Sequence, residues 1–321
     1  MSAKLATSNE FRLLTRAIQC RSRHQLNSNN NAAISAGAAR LPQRSMPPNA
    51  GMAMVGVLQG YRATLHEPRG CRQHNFQKLY STATTYETET VSTMDSMDFR
   101  IFYKKGGKTI SPWHDIPLSD DGETFNFVCE IPKESSAKME VATDEATTPI
   151  KQDTKKGALR FYPYNINWNY GLFPQTWEDP GHTNEACGGV AGDNDPVDVV
   201  EIGSKTLDMG GVYKVKVLGV YAMIDDGELD WKVICLNTSD PKAASVNTLE
   251  DVEREFPGEL EKILVWFRDY KMPDGKPANE FGYDNKCLDK DFALDVIKET
   301  HEFWNKLKSG ARENTEGLAL E

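Results

Sequence analysis

The sequence has no long apolar run. Apolar residues make up 39% of its 321 positions and charged residues 26%, proportions typical of a globular chain with a packed core. No stretch approaches the ~20 consecutive apolar residues that a membrane helix requires. We therefore expect no membrane span and no membrane partner, and the length allows one large domain or two ordinary ones.

Closely spaced cysteine pairs are also missing. No two of the six cysteines have the CxxC spacing of zinc or redox motifs. Cys129 and Cys235 lie inside apolar stretches, as expected of small core residues. The cysteines favour neither a zinc site nor a disulfide framework, which fits a reducing compartment. The six are Cys20, Cys71, Cys129, Cys187, Cys235 and Cys287.

Acidic residues are nearly missing from the first 80 positions. These positions carry eleven Lys and Arg but only Glu10 and Glu67, a net charge of +9, whereas the other 241 residues carry −19. The arginines are singly spaced, Ser, Ala, Asn and Gln are frequent, and no secretory apolar segment is present. This composition is typical of an organelle transit peptide. A disordered tail without an address and a basic arm for nucleic acid are the alternatives.

The basic leader predicts a destination and a cleavage segment. Its length and its Ser, Ala and Asn content favour the chloroplast stroma over the mitochondrial matrix. We expect cleavage between Arg72 and Thr85. The whole chain divides into a transit peptide (1–80), a Thr- and Ser-rich flexible linker (81–97), a folded domain (98–308) and a polar tail (309–321).

The folded domain is predicted to be α+β and mainly β. Residues rich in Val, Tyr and Ile, with polar and apolar positions alternating over 212–217, favour strands. Thr248 and Asp251 predict a capping box at the start of a helix that ends near Pro257. The predicted strands are 125–131, 138–142, 197–202, 212–223 and 231–236, and two further helices are predicted at 259–266 and 291–307.

Three carboxylates stand within six residues, at Asp193, Asp195 and Asp198. Such a cluster attracts a hard cation such as Mg²⁺, because the metal relieves repulsion among the carboxylates. An EF-hand loop is excluded, since its sixth position is Asp198 instead of Gly and its twelfth is Ser204 instead of Glu. An ordinary surface turn is the alternative. A second acidic turn, 225–230, lies between two predicted strands, so strands returning to one end would bring both turns together.

Cationic residues elsewhere in the domain complement these acids. Lys138 and Glu140 are two apart in a predicted strand and therefore face the same side. Arg160 follows a basic loop, and Tyr270 and Lys271 follow a predicted helix end. Each residue alone is typical of a solvated surface. Together with the aspartates they predict a phosphate compound held between Lys or Arg side chains and metal ions.

At these residues the sequence resembles the soluble inorganic pyrophosphatases of the first family, of eukaryotic type. The signature D-x-D-P-x-D occurs at Asp193, Asp195, Pro196 and Asp198. The similarity covers about 98–307 in order. Supporting segments are SPWHD at 111–115, NYG at 169–171, FPQTWEDP at 173–180 and PDGKP at 273–277.

The resemblance implies a distorted five-stranded OB-like barrel with peripheral helices, which hydrolyses pyrophosphate to two orthophosphates with several Mg²⁺ ions. It implies Asp195 as the general base that takes a proton from a metal-activated water. Glu130 would orient waters behind the site. The implied metal ligands are Asp193, Asp198, Asp225, Asp230 and Glu140. The implied phosphate-binding residues are Lys138, Arg160, Lys232, Tyr270 and Lys271, and all but Lys232 are also expected to act in catalysis.

The chain departs from the family pattern in two places. The segment after Arg160 is shorter than usual, and Ile166 stands where the family has a tyrosine, so that Tyr164 is the nearby candidate to replace it. Animal and fungal dimers use an Arg-Trp pair where this chain has Lys133 and Glu134, and a His that the shortened segment lacks. Because dimers rely on apolar anchors such as Trp, we expect a monomer.

Two other classes of function fit part of the pattern. An OB-like module could bind nucleic acid or a phosphate ligand without turnover. The charge of −19 on residues 81–321 disfavours nucleic acid, so no such partner is expected. A different metal-dependent phosphohydrolase would act on nucleotides. Phosphate release from pyrophosphate and from ATP distinguishes these hypotheses.

Overall fold

A computed structural model describes residues 86–321. The predicted transit peptide, its cleavage segment and the start of the linker lie outside the described residues. The strands are β1 (Glu87–Val91), β2 (Arg100–Lys105), β3 (Lys108–Ile110), β4 (Phe125–Ile131), β5 (Ser135–Ala137), β6 (Met139–Val141), β7 (Ile150–Gln152), β8 (Thr154–Lys155), β9 (Ala158–Leu159), β10 (Phe161–Ile166), β11 (Asn169–Leu172), β12 (Thr183–Asn184), β13 (Val190–Ala191), β14 (Asp198–Glu201), β15 (Val212–Asp225), β16 (Glu228–Asn237) and β17 (Glu280–Phe281). The helices are α1 (Leu249–Glu255), α2 (Glu259–Asp269) and α3 (Lys290–Lys308), with 3₁₀ turns at Glu185–Cys187, Met272–Asp274 and Tyr283–Asn285.

Five strands close into a barrel. Strand β15 pairs with β4 and β16, β16 with β14, β14 with β11, and β11 with β4, which completes the ring. Only the β14–β16 pair of this ring is parallel. The α+β, mainly β prediction and the five-stranded OB-like barrel with peripheral helices are confirmed.

The predicted barrel strands match the structure because their apolar residues repeat with the strand period. Strand β4 coincides with the predicted 125–131 and is buried at every position. Strands β15 and β16 are longer than predicted, since their polar ends pair in a hairpin beyond the apolar pattern. At the β11–β4 pair the backbones approach so closely that a Cβ on Gly171 would lie 2.0 Å from the Val128 carbonyl oxygen. That position therefore requires glycine.

A smaller sheet stands beside the barrel, with the order β1-β2-β7-β6 and with β3 on β2. Strand β1 lies within residues 81–97, where a flexible linker was predicted, so the prediction is wrong for Glu87–Val91. All five of its residues are exposed, and backbone pairing with β2 holds it in place. The sequence ETETV carries no apolar alternation that would reveal such a strand.

The three predicted helices are confirmed. Thr248 and Asp251 form the expected capping box of α1. Helix α2 continues three residues beyond the predicted end to Asp269, and α3 buries Val296, Thr300 and Leu307 against the domain. None of the helices described in residues 86–321 is long and apolar enough to cross a membrane.

The last residues pack on the domain instead of forming only a polar tail. Leu318 is buried, and the backbone N–H of Ala319 donates to the Thr143 carbonyl at 2.7 Å. The Ala319 carbonyl in turn accepts from the His114 ring at 2.9 Å. Residues 309–321 are thus bound to the folded domain by backbone contacts that their polar composition does not reveal.

Candidate active site

The acidic turn, residues 193–198, leads directly into β14. The Glu178 N–H donates to the Asp195 carbonyl at 2.9 Å, and the Asn194 N–H donates to the Glu178 carbonyl at 3.0 Å. A Cβ on Gly192 would lie 2.5 Å from the Glu178 backbone, so the two segments can approach only because this residue is glycine. These contacts hold all three carboxylates of the turn at the end of one barrel strand.

The second acidic turn joins β15 to β16 at the same end of the barrel. In the parallel pairing of β14 with β16, Asp198 stands opposite Lys232. Asp230 lies two residues earlier on the same strand, so its side chain is on the same face as that of Lys232. The expectation that returning strands bring the two acidic turns together is confirmed.

The predicted site residues converge on one cleft of about 320 Å³. Glu130 and Glu140 line an adjoining cavity of about 60 Å³, which shares Lys138, Asp195 and Asp198 with the cleft. Residues that the sequence placed far apart therefore surround one space. The predicted residues that line the cleft itself are Lys138, Arg160, Asp193, Asp195, Asp198, Asp225, Asp230, Lys232, Tyr270 and Lys271.

A buried charge network lies at the base of the cleft. The Lys232 ammonium, whose side chain is 2% exposed, donates to Asp198 and Asp230 and, at 2.9 Å, to the Tyr170 hydroxyl. The Tyr170 hydroxyl donates to Asp198. Burial alone would lower the pKa of Lys232, but the two aspartates raise it well above its usual range. Lys232 is thus a fixed positive charge.

A second set of cations lines one wall of the cleft. Lys138 donates to Glu140 at 2.9 Å and to Asp153 at 3.2 Å, and Arg160 donates to the same Asp153 oxygen at 2.7 Å. Burial opposes the charge of Lys138, yet Glu140 and its neighbours raise its pKa. Asp153 thereby orients two cations toward the cleft, although the sequence did not single it out.

The cleft lining also includes Tyr270 and Lys271, which directly follow α2. The Tyr270 hydroxyl donates to Asp225 at 3.0 Å, while Lys271 donates to Asp225 and, at 3.1 Å, to Asp226. Burial and the charge of Asp225 raise the pKa of Tyr270, so its hydroxyl stays protonated and serves as a donor. Acidic and cationic groups thus alternate around one cavity, as a phosphate compound with bound cations requires.

Comparison with known proteins places this chain in a family. The family model described as inorganic pyrophosphatase matches residues 127–305. The chain belongs to the inorganic pyrophosphatase family. It is 67% identical to soluble inorganic pyrophosphatase 1, chloroplastic, of Chlamydomonas reinhardtii, over 74% of this chain and 84% of that protein. It is 63% identical to soluble inorganic pyrophosphatase 6, chloroplastic, of Arabidopsis thaliana, over 66% of this chain and 71% of that protein.

A solved pyrophosphatase has the same fold. The type I inorganic pyrophosphatase of Toxoplasma gondii superposes with a TM-score of 0.68 at 45% identity, over 70% of this chain and 100% of that one.

In this pyrophosphatase, Glu178 is a site residue that the sequence did not single out. One oxygen each of Glu178, Asp193 and Asp230 lies within 4.8 Å of the others. Glu178 is 3% exposed, and its Oε1 accepts the Trp231 N–H at 3.0 Å. Its buried Oε2 has no partner among the described residues. Burial and the charges of Asp193 and Asp230 raise its pKa well above the usual range.

The donor set of this trio fits a divalent cation. Carboxylate oxygens are hard ligands, and a cation would supply the partner that Glu178 Oε2 lacks. Burial, followed by the charge of Asp198, raises the pKa of Asp193 to about 6, which reflects the same excess of buried negative charge. Glu178 stands between Trp177 and Asp179 without a local signal of a site role, because its place in the site depends on contacts distant in sequence.

The tyrosine expected near the cleft is a different residue from the candidate Tyr164. Tyr164 is 40% exposed and packs edge-on against Trp266, outside the cleft lining. Tyr162 lines the cleft instead and is buried. The pairing of β10 with β5 shifts register between Phe161 and Ile166, so residues two apart do not share a face. Ile166 packs in the core.

Proposed function

We propose that this chain is a Mg²⁺-dependent diphosphatase that hydrolyses inorganic pyrophosphate to two orthophosphates. One observation carries the proposal: a single cleft of about 320 Å³ brings the five predicted aspartates together with the five predicted phosphate-binding residues. Family membership supports the same activity. The cleft walls supply cations for the substrate, and the base of the cleft supplies carboxylates for divalent ions.

Several Mg²⁺ ions are proposed as the cofactor. Bound there, they would lower the pKa of a water molecule and offset the charge of the phosphates. Asp193, Asp198 and Asp230 would hold the ions next to the water, with Glu178 close to two of them. The ligands proposed for ions that arrive with the substrate are Asp225, Asp230 and Glu140.

Asp195 is proposed as the general base. Asp193 and Asp198 are already engaged, since Asp193 accepts the Asp195 N–H at 3.1 Å and Asp198 accepts from Tyr170 and Lys232. The Asp195 carboxylate reaches solvent in the cleft and accepts no hydrogen bond within residues 86–321. It is therefore free to accept a proton from the attacking water at a carboxylate oxygen.

The cationic residues would bind the phosphates and stabilise charge that shifts between them. Lys138, Arg160, Tyr270 and Lys271 all line the cleft, where they would contact the phosphate oxygens. Lys232 supplies a charge from the base of the cleft. Glu130 accepts the Val141 N–H at 2.6 Å and so holds the strand that carries Glu140, which supports an orienting role behind the site.

The test is phosphate release from pyrophosphate with Mg²⁺, compared with release from ATP. We expect hydrolysis of pyrophosphate in clear preference to ATP. Asp195→Asn should lower kcat by roughly 10²–10⁴-fold while retaining the fold, because a general base contributes about that much. Absence of release, or full activity of Asp195→Asn, contradicts the mechanism. Binding without turnover would indicate an OB-like binding module, and preference for ATP a nucleotide hydrolase.

The chloroplast stroma is the proposed destination. The basic leader and the two chloroplastic relatives support it. Residues 1–80 fused to a fluorescent protein should accumulate in plastids, and accumulation in mitochondria contradicts the proposal. The mature protein should begin between residues 72 and 85. A mature chain that begins before residue 50 would contradict a cleaved leader of this length.

A monomer is the proposed assembly state. Lys133 donates to the Gly203 carbonyl at 3.1 Å, and Glu134 is exposed with φ of 66°. Neither residue offers the apolar anchor that the family's animal and fungal dimers use here. Light scattering at micromolar concentration should give the mass of one mature chain. Twice that mass contradicts the proposal.

A further inference from the structure

The C-terminal segment reaches the rear of the acidic turn. Arg312 Nη2 donates to Asp179 Oδ1 at 3.2 Å and to Glu316 Oε1 at 2.7 Å. Its guanidinium carbon lies 5.3 Å from the centroid of the Trp177 ring, within the range of a cation–π contact. Arg312 therefore contacts both residues that flank Glu178.

Those flanking residues belong to the segment that holds the acidic turn. Trp177 is fully buried, and its Nε1 donates to Asn194 Oδ1 at 3.1 Å. Asn194 has φ of 75°, in the left-handed region that a residue with a Cβ rarely adopts. The two backbone hydrogen bonds of Glu178 to the turn complete the attachment. The turn conformation thus depends on the position of residues 177–179.

Arg312 itself touches none of the residues proposed to meet metal or pyrophosphate. Its other described side-chain contacts are with the Glu313 carbonyl and Thr315, both in the C-terminal segment. The segment also lies beyond the part of the chain that the family model matches, which ends at residue 305. Any effect of Arg312 on the cleft must therefore pass through Asp179 and Trp177.

We propose that Arg312 is a positioning residue for the acidic turn. Through Asp179 and Trp177 it keeps the turn in the conformation in which Asp193 and Asp198 offer oxygens to a divalent cation. The side chains of Arg312 and Asp179 are 23% and 13% exposed, so neither is a freely solvated charge. The inference rests on the proposed pyrophosphate hydrolysis and deepens it, since it assigns a site-ordering role to the C-terminal segment.

The experiment measures Mg²⁺ binding by calorimetry in the absence of pyrophosphate, using the full chain and its Arg312→Ala variant. Loss of Arg312 should weaken Mg²⁺ binding about threefold to tenfold, the range expected of coupling between linked sites. KM for pyrophosphate at saturating Mg²⁺ should change less than about twofold, because the phosphate-binding cations lie on other segments. Arg312→Lys should be intermediate, since lysine keeps the charge but lacks the planar fork.

Arg100→Ala is the matched control. Arg100 pairs with Glu145 at 2.7 Å, and its side chain is 22% exposed, close to the value for Arg312. Its loss should lower the Tm as much as the Arg312 change does, yet leave Mg²⁺ affinity within about twofold of the wild type, as expected for a pair away from the site. Equal weakening in both variants overturns the proposal, as does unchanged Mg²⁺ affinity in folded Arg312→Ala.

Two further measurements keep the result decisive. If Arg312→Ala does not fold, Asp179→Asn and Arg312→Lys take its place, and both must weaken Mg²⁺ binding. Deuterium exchange should rise over residues 192–198 in each Arg312 and Asp179 variant, since the turn loses its support. A wild-type chain that releases no phosphate defeats the proposed hydrolysis, whereas the calorimetric comparison still decides the role of Arg312.

Discussion

The cleft and the C-terminal face, where residues 309–321 pack against His114, bury polar groups in opposite ways. In the cleft, the Lys232 ammonium is enclosed by the charged Asp198 and Asp230. On the C-terminal face, His114 is 4% exposed and neutral: its Nδ1 accepts from Trp304 at 2.9 Å, and its Nε2 donates to the Ala319 carbonyl. Burial lowers the pKa of His114 to about 4.

The buried groups of the two regions differ in their capacity to bind ions. Burying a charge costs free energy and leaves the group able to bind an ion of opposite charge. A neutral imidazole with both ring nitrogens hydrogen-bonded adds stability without attracting ligands. The cleft also retains an unpartnered oxygen on Glu178, among the described residues, while both ring nitrogens of His114 are satisfied. We therefore expect changes in the cleft to respond to Mg²⁺ and the change at His114 to respond to pH.

The largest effect is expected for Lys232→Met. Removing the ammonium leaves Asp198 and Asp230 without their counter-charge, which should cost roughly 3–5 kcal/mol of unfolding free energy. Urea unfolding with and without Mg²⁺ measures the free energy of unfolding. Mg²⁺ should restore part of the lost free energy because a cation can replace the ammonium. Lys214→Met is the control, since Lys214 pairs with Asp120 on the exposed surface. A loss equal to that of the control contradicts the expectation.

A smaller and different effect is expected for Arg160→Gln. The Arg160 and Asp153 side chains are 25% and 17% exposed, so the stability change should stay below about 1 kcal/mol. The lost charge-assisted contact to phosphate should lower kcat/KM about tenfold to a hundredfold. Steady-state kinetics and thermal unfolding separate the two quantities. A loss of unfolding free energy as large as that of Lys232→Met would contradict the expected difference between Arg160 and the buried Lys232.

The third effect concerns His114 and depends on pH. Because the folded-state pKa of about 4 lies below the unfolded value of 6.5, the unfolded chain binds more protons between those values, and stability falls as pH falls. Between pH 7 and pH 5 this group should cost roughly 1.5–2 kcal/mol. The measurement is the stability difference between wild type and His114→Gln at the two pH values.

The paired design of the His114 measurement cancels a contribution of opposite sign. Asp193, with its pKa raised to about 6, gains a proton more readily in the folded state and therefore stabilises the metal-free protein as pH falls. That contribution is present in both wild type and His114→Gln. A difference that stays constant from pH 7 to pH 5 would mean that His114 is not held neutral on the C-terminal face.

Much of the site could be predicted from the sequence because its residues stand in compact local patterns. Asp193, Asp195 and Asp198 occur within six positions, and their chemistry can be inferred before any contact is known. Strands β4 and β14 were predictable for a similar reason, since Phe, Val and Ile in β4 and Val in β14 favour an extended backbone.

What could not be predicted depends on contacts that a one-dimensional pattern does not contain. Glu178 carries no local sign of its role, because the nearness of Asp193 and Asp230 arises only when three segments meet. Strand β1 is exposed at every position and is defined by its backbone partner β2. Tyr162 replaces Tyr164 in the cleft because a register shift in β10 breaks the simple alternation.

The sequence by itself determined the chemistry of this protein: which acids, cations and strands it has, and the family that they match. Only the tertiary structure decided which groups share an environment. The bond between His114 and Ala319 joins residues 205 positions apart, and Arg312 meets Asp179 across 133. Local patterns can be read from the chain because neighbours in sequence interact directly, whereas burial and charge pairing arise only after distant segments pack together.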